Sequence, residues 1–469
     1  MAKQKYEVGM VGLGVMGRNF VLNIADHGFS VSGYDKDLSK VQQLQTEAGS
    51  RPIYAAKDLE EFIGSLASPR TLIMLVPAGK IVDNVIRDLL PHLEKGDLII
   101  DAGNSHFTDT DLRSKSLAEK GILYMGVGVS GGEEGARHGP SLMPGGLKEA
   151  YERVRPIFEA VAAQVEGEPC VAYLGPGSAG HYVKMIHNGI EYGLMQLIAE
   201  SYDLMKRGLG LSNNELSVVY GNWNEAELNA YLMEITSRIF TKVDERTEKQ
   251  LIDLILDEAK QKGTGMWTSQ DAMDIQIPTS VIDAAVVARN LSALKSEREA
   301  ASKQFKVKTS RFKGDREVIL NQLKSAMYIS MIITYAQGMA QLRVASKVYE
   351  YHLNLEDVAR IWRGGCIIRA ALLEDIRAAF HANPDLPNLI NDGRLGDVVI
   401  ATQKDLRTVV SLAVKLGLPI PCLMASLAYF DSYRSAWLPA NLIQAQRDDF
   451  GAHTYERVDA KGVFHTQWE

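Results

Sequence analysis

Near the start of the chain an apolar stretch, Tyr6-Glu7-Val8-Gly9-Met10-Val11, runs into Gly12-Leu13-Gly14-Val15-Met16-Gly17 and then into a helix-like segment through Asn23, Ile24 and His27. The order of strand, glycine turn and helix matters more than the glycines alone, because glycine-rich turns arise by chance in many chains. In that order the first glycine turns the chain, the second lets the backbone approach a pyrophosphate, and the third lets helix pack on strand. The helix N-terminus then offers its free N–H groups to the phosphates. Gly12, Leu13, Gly14, Val15, Met16 and Gly17 are therefore expected to hold a dinucleotide, and the N-terminal part of the chain is committed to an α/β fold.

Further short strands are expected at Val31 to Asp35, Thr71 to Val76, Leu98 to Asp101, Leu123 to Val127 and Val171 to Leu174. After about Gly177 the strand signals fade. Long helical periodicities follow at Lys184 to Met205, Ser280 to Leu294, Glu317 to Val348 and Leu406 to Leu416. The expected organisation is a Rossmann-like dinucleotide-binding domain over 1–177, a large all-α domain over 178–437 and a C-terminal tail over 438–469. Within the helical part, Trp223 with Ile235 echoes Trp362 with Leu373 and Ile376, each after a long helix and a turn-rich break, which reads as an internal duplication. Met331 stands near the place equivalent to Glu191, so only the first copy carries the acid. The tail, Gln444 to Glu456, reads as polar and irregular, either frayed or docked on a partner subunit.

The acid expected at the end of the second strand is Asp35, in Asp35-Lys36-Asp37. A carboxylate there hydrogen-bonds both ribose hydroxyls of NAD and repels the extra phosphate of NADP. Lys36 offsets part of that repulsion, so NAD is expected to be preferred rather than required.

On a helix, Lys184, Asn188 and Glu191 fall at i, i+4 and i+7 and share one face, with the lysine and glutamate roughly 10 Å apart along the axis. A single Lys–Glu pair on a helix ordinarily faces water. Here Met185, Ile186, Ile190, Leu194, Met195, Leu197 and Ile198 spread around most of the circumference, so the helix is expected to be buried on nearly all sides. A buried lysine and glutamate need a reason, and proton transfer at two positions of a small substrate supplies one.

The whole chain has 469 residues, 46% hydrophobic and 23% charged, enough for two or three cores. Its formal charge of -7 gives no global attraction for nucleic acid or anionic membranes, so neither is expected as a partner. Any anionic substrate must be caught by local basic residues. The 3 cysteines, Cys170, Cys366 and Cys422, are widely spaced, which argues against a disulfide framework or a zinc site and for a reduced, cytoplasmic setting. No apolar run approaches the length of a membrane span or a signal sequence.

Taken together, Gly12 to Gly17, Asp101-Ala102-Gly103-Asn104-Ser105, Gly128-Val129-Ser130-Gly131-Gly132, Lys184 to Tyr192, Gln261-Lys262-Gly263-Thr264-Gly265 and the Arg447 to His453 tail resemble the decarboxylating 6-phosphogluconate dehydrogenases of the β-hydroxyacid dehydrogenase superfamily. The resemblance spans nearly the whole chain. It implies oxidation of 6-phosphogluconate at C3, loss of C1 as carbon dioxide and release of ribulose 5-phosphate, with no metal. Lys184 would take and return the C3 hydroxyl proton, Glu191 would protonate C1 of the enediol, and Asn188 with His187 would orient the C3 oxygen. Asn104 and Ser130-Gly131-Gly132 would hold nicotinamide and substrate carboxylate. Tyr192, Lys262, Thr264 and Arg289 would meet the substrate phosphate, joined by Arg447 and His453 from the other subunit of a homodimer.

The chain departs from the family pattern in two places. Asp35-Lys36-Asp37 stands where NADP-using relatives commonly carry Asn-Arg-Thr, and Val76-Pro77-Ala78 and Gly79 stand where many have a lysine in place of Pro77. Both changes remove positive charge from the expected site of the adenosine phosphate. The nearest rival activity is oxidation of another β-hydroxy acid without decarboxylation. A non-catalytic dinucleotide-binding scaffold would have no need of the proton-transfer residues.

Overall fold

The computed structural model describes residues 5–307 and 310–468. The N-terminal part is built on a seven-stranded sheet of β1 (Val8–Val11), β2 (Val31–Tyr34), β3 (Ile53–Ala55), β4 (Thr71–Met74), β5 (Leu98–Asp101), β6 (Leu123–Ser130) and β7 (Ser141–Gly146), in the order β3-β2-β1-β4-β5-β6-β7. All neighbours are parallel except β6 and β7, which run antiparallel from Met125 opposite Gly146 to Ser130 opposite Ser141. The near-continuous apolar strands are what a parallel sheet covered on both faces requires. One face packs Phe20, Ile24, Leu44 and Phe158 against Met10 and Ile100. The other packs Phe62, Val82, Ile86 and Leu117 against Leu72, Met74 and Ile99. The strand order reverses between β1 and β4, and the crevice at the carboxyl ends of those strands is where open α/β sheets bind ligands.

Two strands escape the sequence reading, and one expected strand is not formed. Ile53–Ala55 is too short to show a period, and Ser141–Gly146 contains Pro144 and two glycines, residues depleted in strands and tolerated here at a sheet edge. Val171–Leu174 runs beside β7, where Leu142 N–H donates to Cys170 O and Leu174 N–H donates to Pro144 O. Only Val171 forms a bridge, to Leu142. Pro144 has no N–H to return, and the ladder stops.

The remainder is helical. The helix Ala179–Asp203 is buried on nearly all sides and continues as a π-helical turn, Leu204–Leu209. It lies directly on β6 and β7, which close approach makes possible: a Cβ on Gly128 would stand 2.4 Å from Lys184 Cβ, and one on Gly180 would stand 2.3 Å from the carbonyl oxygens of Gly126 and Met143. The glycines of β6 are thus packing residues that set Lys184 against the sheet. The longest helix, Arg316–Val348, lies across Ala179–Asp203 and is buried through its middle from Ile329 to Gly338.

The two halves of the helical part meet in a small symmetric pairing. Ala230 and Ala370 form an antiparallel bridge in which Tyr231 N–H donates to Arg369 O and Ala371 N–H donates to Asn229 O. Each partner of the bridge follows one of the two tryptophans of the repeat. The tail is more regular than its composition suggests, with a helix Ala440–Gly451 and a hairpin of Tyr455–Glu456 with Val463–Phe464. Asp448 ties them together: it is fully buried and accepts from Thr454 N–H, His465 Nδ1, Thr466 N–H and Trp468 Nε1. Burial pushes this carboxyl up, but the donors outweigh it and hold the pKa down at about 2. No helix among the described residues is long and apolar enough to cross a membrane.

Candidate active site

Two neighbouring hollows lie along the carboxyl edge of the sheet. The first, about 210 Å³, is lined by Gly12, Tyr34, Asp35, Lys36, Lys40, Val76, Pro77, Ile81 and Asp88 among others. Its rim is the glycine turn. Gly12 sits at φ +96, a Cβ there would stand 2.5 Å from Leu75 O, and a Cβ on Gly17 would stand 1.9 Å from Gly12 O. Around Gly14, by contrast, there is open space. The helix that follows, Val15–Asp26, has no side chain capping its N-terminus. Open space and uncapped N–H groups at one helix end fit a pyrophosphate.

Asp35 Oδ2 accepts from Leu13 N–H at 2.8 Å and Oδ1 accepts from Asp37 N–H at 2.9 Å, so this carboxylate braces the turn as well as facing the hollow. Lys36 is drawn to Asp88 at 2.8 Å and Lys40 to Asp35 at 3.6 Å. Of the residues expected at the cofactor, Leu13, Gly14, Val15, Gly17, Asp37 and Ala78 are not on the lining of either hollow. Asp37 caps the helix Leu38–Ala48 by accepting from Ser39 N–H, and the side chain of Leu13 is buried in the core. Asp37 is the residue immediately before a helix, where an aspartate serves the free N–H groups better than a ligand.

The second hollow, about 470 Å³, falls in the range of small-ligand sites. Met16, Asn104, Ser130, Gly131 and Gly132 line it from the sheet side, Lys184, Asn188, Glu191 and Tyr192 from the long helix, and Lys262, Thr264 and Arg289 from the helices beyond. The spacing argument thus brings Lys184, Asn188 and Glu191 onto one wall. Lys184 is only 6% exposed, and burial, opposed by Glu191 and Cys366, pulls its amine below the usual lysine range. Burial pushes the Glu191 carboxyl up, against the pull of Lys184 and Arg289. Desolvation disfavours the charged form of each group, so both are shifted toward their neutral forms.

His187 is fully buried and does not line the cleft. Its Nε2 lies 3.1 Å from Ser130 Oγ and its Nδ1 3.2 Å from Asn188 Oδ1, while the ring stands edge-on to Trp362. Burial, with Lys184 nearby, holds this imidazole well below the usual histidine range. In the structure it stands as a neutral bracket between the serine turn and Asn188, the residue through which it would act on the C3 oxygen. A residue one position off the lining face of the helix points inward, behind the wall.

Asn104 is presented by a rigid turn. Asp101 accepts from Gly103 N–H at 3.1 Å, Ser105 Oγ at 2.5 Å and Tyr124 Oη at 3.1 Å. Arg113 crosses beneath, donating to Ser105 Oγ, to Asp83 and to Gly79 O, and so links the Asn104 turn to the loop bordering the first hollow. At the far end the Arg289 guanidinium lies 3.4 Å from the centre of the Tyr192 ring, a cation–π contact that fixes a long side chain without neutralising it. Arg447 and His453 are exposed on the tail and do not reach this chain's own cleft. Val129, Lys260, Gln261 and Ile367 also line the cleft and were not singled out from sequence. Ile367 arrives from the second half of the helical part, where no local pattern announces it.

The comparisons with known proteins agree with this geometry. The family description "NAD binding domain of 6-phosphogluconate dehydrogenase" matches residues 7–175, and "6-phosphogluconate dehydrogenase, C-terminal domain" matches residues 180–468. A Bacillus subtilis protein named "6-phosphogluconate dehydrogenase, NADP(+)-dependent, decarboxylating" is 52% identical over 465 residues, covering 99% of each chain. The Escherichia coli "6-phosphogluconate dehydrogenase, decarboxylating" is 50% identical over 465 residues, again 99% of each. A solved Plasmodium falciparum 6-phosphogluconate dehydrogenase, described in apo form and with NADP+ or 6-phosphogluconate, superposes with a TM-score of 0.95 at 45% identity, covering 98% of this chain and 100% of that one. With sheet, helical part and tail all matched end to end, the chain belongs to the 6-phosphogluconate dehydrogenase family.

Proposed function

We propose that the protein oxidises and decarboxylates 6-phosphogluconate to ribulose 5-phosphate and carbon dioxide, as an NAD(P)-dependent enzyme. The observation that carries this reading is the pairing of Lys184 and Glu191 on one wall, each driven by burial toward its neutral form. Bound with its pyrophosphate at the glycine turn, a nicotinamide cofactor supplies the acceptor for the C3 hydride. The neutral Lys184 amine takes the C3 hydroxyl proton as that hydride leaves. The resulting ketone accepts the electron pair freed when the carboxylate departs, and the Lys184 ammonium returns its proton to the enolate oxygen. Glu191, protonated, then delivers a proton to C1 of the enediol, whose hydroxyl proton goes back to Lys184. Asn188 and Asn104 orient the reacting end, the Ser130-Gly131-Gly132 turn takes the carboxylate, and Tyr192, Lys262, Thr264 and Arg289 take the phosphate.

Preference for NAD over NADP is part of the proposal. It is supported by Asp35 at the ribose end and by the engagement of Lys36 and Lys40, the two cations lining that hollow, with Asp88 and Asp35. The Bacillus subtilis relative is named NADP(+)-dependent, so these side chains are what would set this chain apart.

The tail, 438–469, is proposed to complete the cleft of a second copy by bringing Arg447 and His453 to the phosphate. Leu442, Ile443 and Phe450 on it, and Trp437 just before it, are all at least 60% exposed, an apolar surface that a partner subunit would cover. Supplying 6-phosphogluconate with either nicotinamide tests the reaction. Reduced cofactor and carbon dioxide in equal yield are expected; reduced cofactor without carbon dioxide would replace it by simple β-hydroxy acid oxidation.

A further inference from the structure

The phosphate end of the cleft holds a lysine that neither the sequence motifs nor the proposed chemistry uses. Lys260 lines the hollow with Lys262, Thr264 and Arg289. Its backbone is pinned on both sides to the helix that carries Arg289 (Ser280–Ser292). Ala259 N–H donates to Ser292 Oγ at 2.9 Å, and that hydroxyl donates to Arg289 O at 2.7 Å. Gln261 Nε2 donates to Asn290 Oδ1 at 2.7 Å. Further back, Asp257 is held by Lys295 at 2.6 Å and Arg298 at 2.9 Å. The loop is therefore tied at three successive odd positions, and the residue between the last two ties is turned to the cleft. Of the two preceding carboxylates, Asp257 is already committed to two cations and Glu258 makes no ion pair with Lys260, which forms none among the described residues.

Charge balance gives this lysine a purpose. With Lys184 and Glu191 both driven toward neutrality, the permanent cations on the lining are Lys260, Lys262 and Arg289. A phosphorylated sugar acid brings about one negative charge on its carboxylate and about two on its phosphomonoester. Within this chain Lys262 and Arg289 supply two positive charges and Lys260 a third, to which Arg447 of a second copy would add.

We propose that Lys260 is a further substrate-binding residue, a third cation at the phosphate end that sets selectivity for a phosphorylated sugar acid. This rests on the functional reading above. Because the side chain is exposed, its attraction is screened by salt.

The test compares Lys260→Met and Lys260→Arg in the full chain, with Lys120→Met removing an equal charge from the surface of the sheet domain. Lys260→Met is expected to raise KM for 6-phosphogluconate about tenfold at low ionic strength. The cofactor KM should be unchanged, the gap should narrow in high salt, and Lys260→Arg should restore most of the loss. A second measurement is independent of turnover: inorganic phosphate should raise the melting temperature of the wild-type and Lys260→Arg proteins, and raise it less for Lys260→Met. A KM for Lys260→Met within twofold of wild type, a KM shift equalled by Lys120→Met, or a full phosphate-induced melting shift in Lys260→Met would overturn the assignment. Failure of the wild-type protein to oxidise 6-phosphogluconate would instead overturn the functional reading, and the phosphate shift would still decide the role of Lys260.

Discussion

The two ends of the ligand-binding crevice hold their ligands in opposite ways. At the glycine turn the protein withdraws its side chains and offers backbone: Gly14 faces open space, and the following helix starts without a cap. On the wall of Ala179–Asp203 it does the reverse, burying a lysine and a histidine and half-burying a glutamate, whose charged forms the surroundings disfavour. The first end needs geometry and tolerates water. The second needs dryness, because its chemistry depends on which proton sits where.

The difference is most sharply broken by removing the amine. Lys184→Met should lower kcat by about a thousandfold or more, the usual scale for losing a general base together with its electrostatic role, with little change in cofactor affinity measured by fluorescence titration. Removal of the tail should match it in size. A chain ending at residue 438 should be folded by circular dichroism and inactive, and mixing it with full-length Lys184→Met should restore activity, because one chain supplies the lysine and the other the tail. Absence of rescue would remove the shared cleft from the account.

Glu191→Gln comes next, with kcat lowered about a hundredfold. The sign of its pH effect follows from the direction of each shift. Activity requires Lys184 without its extra proton and Glu191 with its own, so it should trace a bell-shaped profile whose two limbs report the pair, and Glu191→Gln should remove one limb. At the other end of the crevice, Gly14→Ala meets no atom within 4 Å and should leave the melting temperature nearly unchanged while raising the cofactor KM about tenfold. Gly17→Ala, whose Cβ would sit 1.9 Å from Gly12 O, should instead destabilise the sheet domain.

The smallest expected effect lies away from both ends. Glu200 is buried and accepts from Cys422 N–H at 2.8 Å and Leu423 N–H at 2.9 Å at the start of the helix Pro421–Tyr433. Burial, offset in part by those donors, pushes its pKa up to about 7. A carboxyl whose folded pKa exceeds its unfolded value stabilises the fold below the unfolded pKa, and that stability is lost as pH rises through about 7. The melting temperature should drop by about 1–3 °C between pH 5 and 8, measured by calorimetry, and the drop should vanish in Glu200→Gln.

What could be read in the sequence was what lies within a few turns of chain. The glycine turn, the acid ending β2 and the shared face of Lys184, Asn188 and Glu191 each occupy a short window, and each is where the spacing places it. The edge strand Ser141–Gly146 is hidden by Pro144 and two glycines, of which Gly145 serves its contact with the long helix and Gly146 its contact with β6. The bracket made by His187 is not legible locally because its partner, Ser130, comes from β6, and only folding sets the two side by side. Ile367 and Lys260 were overlooked for a related reason: one reaches the cleft from the second repeat, and the other owes its direction to hydrogen bonds with Asn290 and Ser292. The tail's regularity rests on Asp448, whose four donors are spread from Thr454 to Trp468.

The central claim is that burial in the cavity around Ala179–Asp203 pulls Lys184 toward its free-amine form. Carbon-13 labelling of the lysine ε positions, with Lys184→Arg to assign the signal, would follow its titration directly in the folded protein. The account predicts that one lysine resonance, absent from the variant, titrates clearly below the ordinary value of 10.5. A Lys184 signal that titrates together with the surface lysines would contradict it.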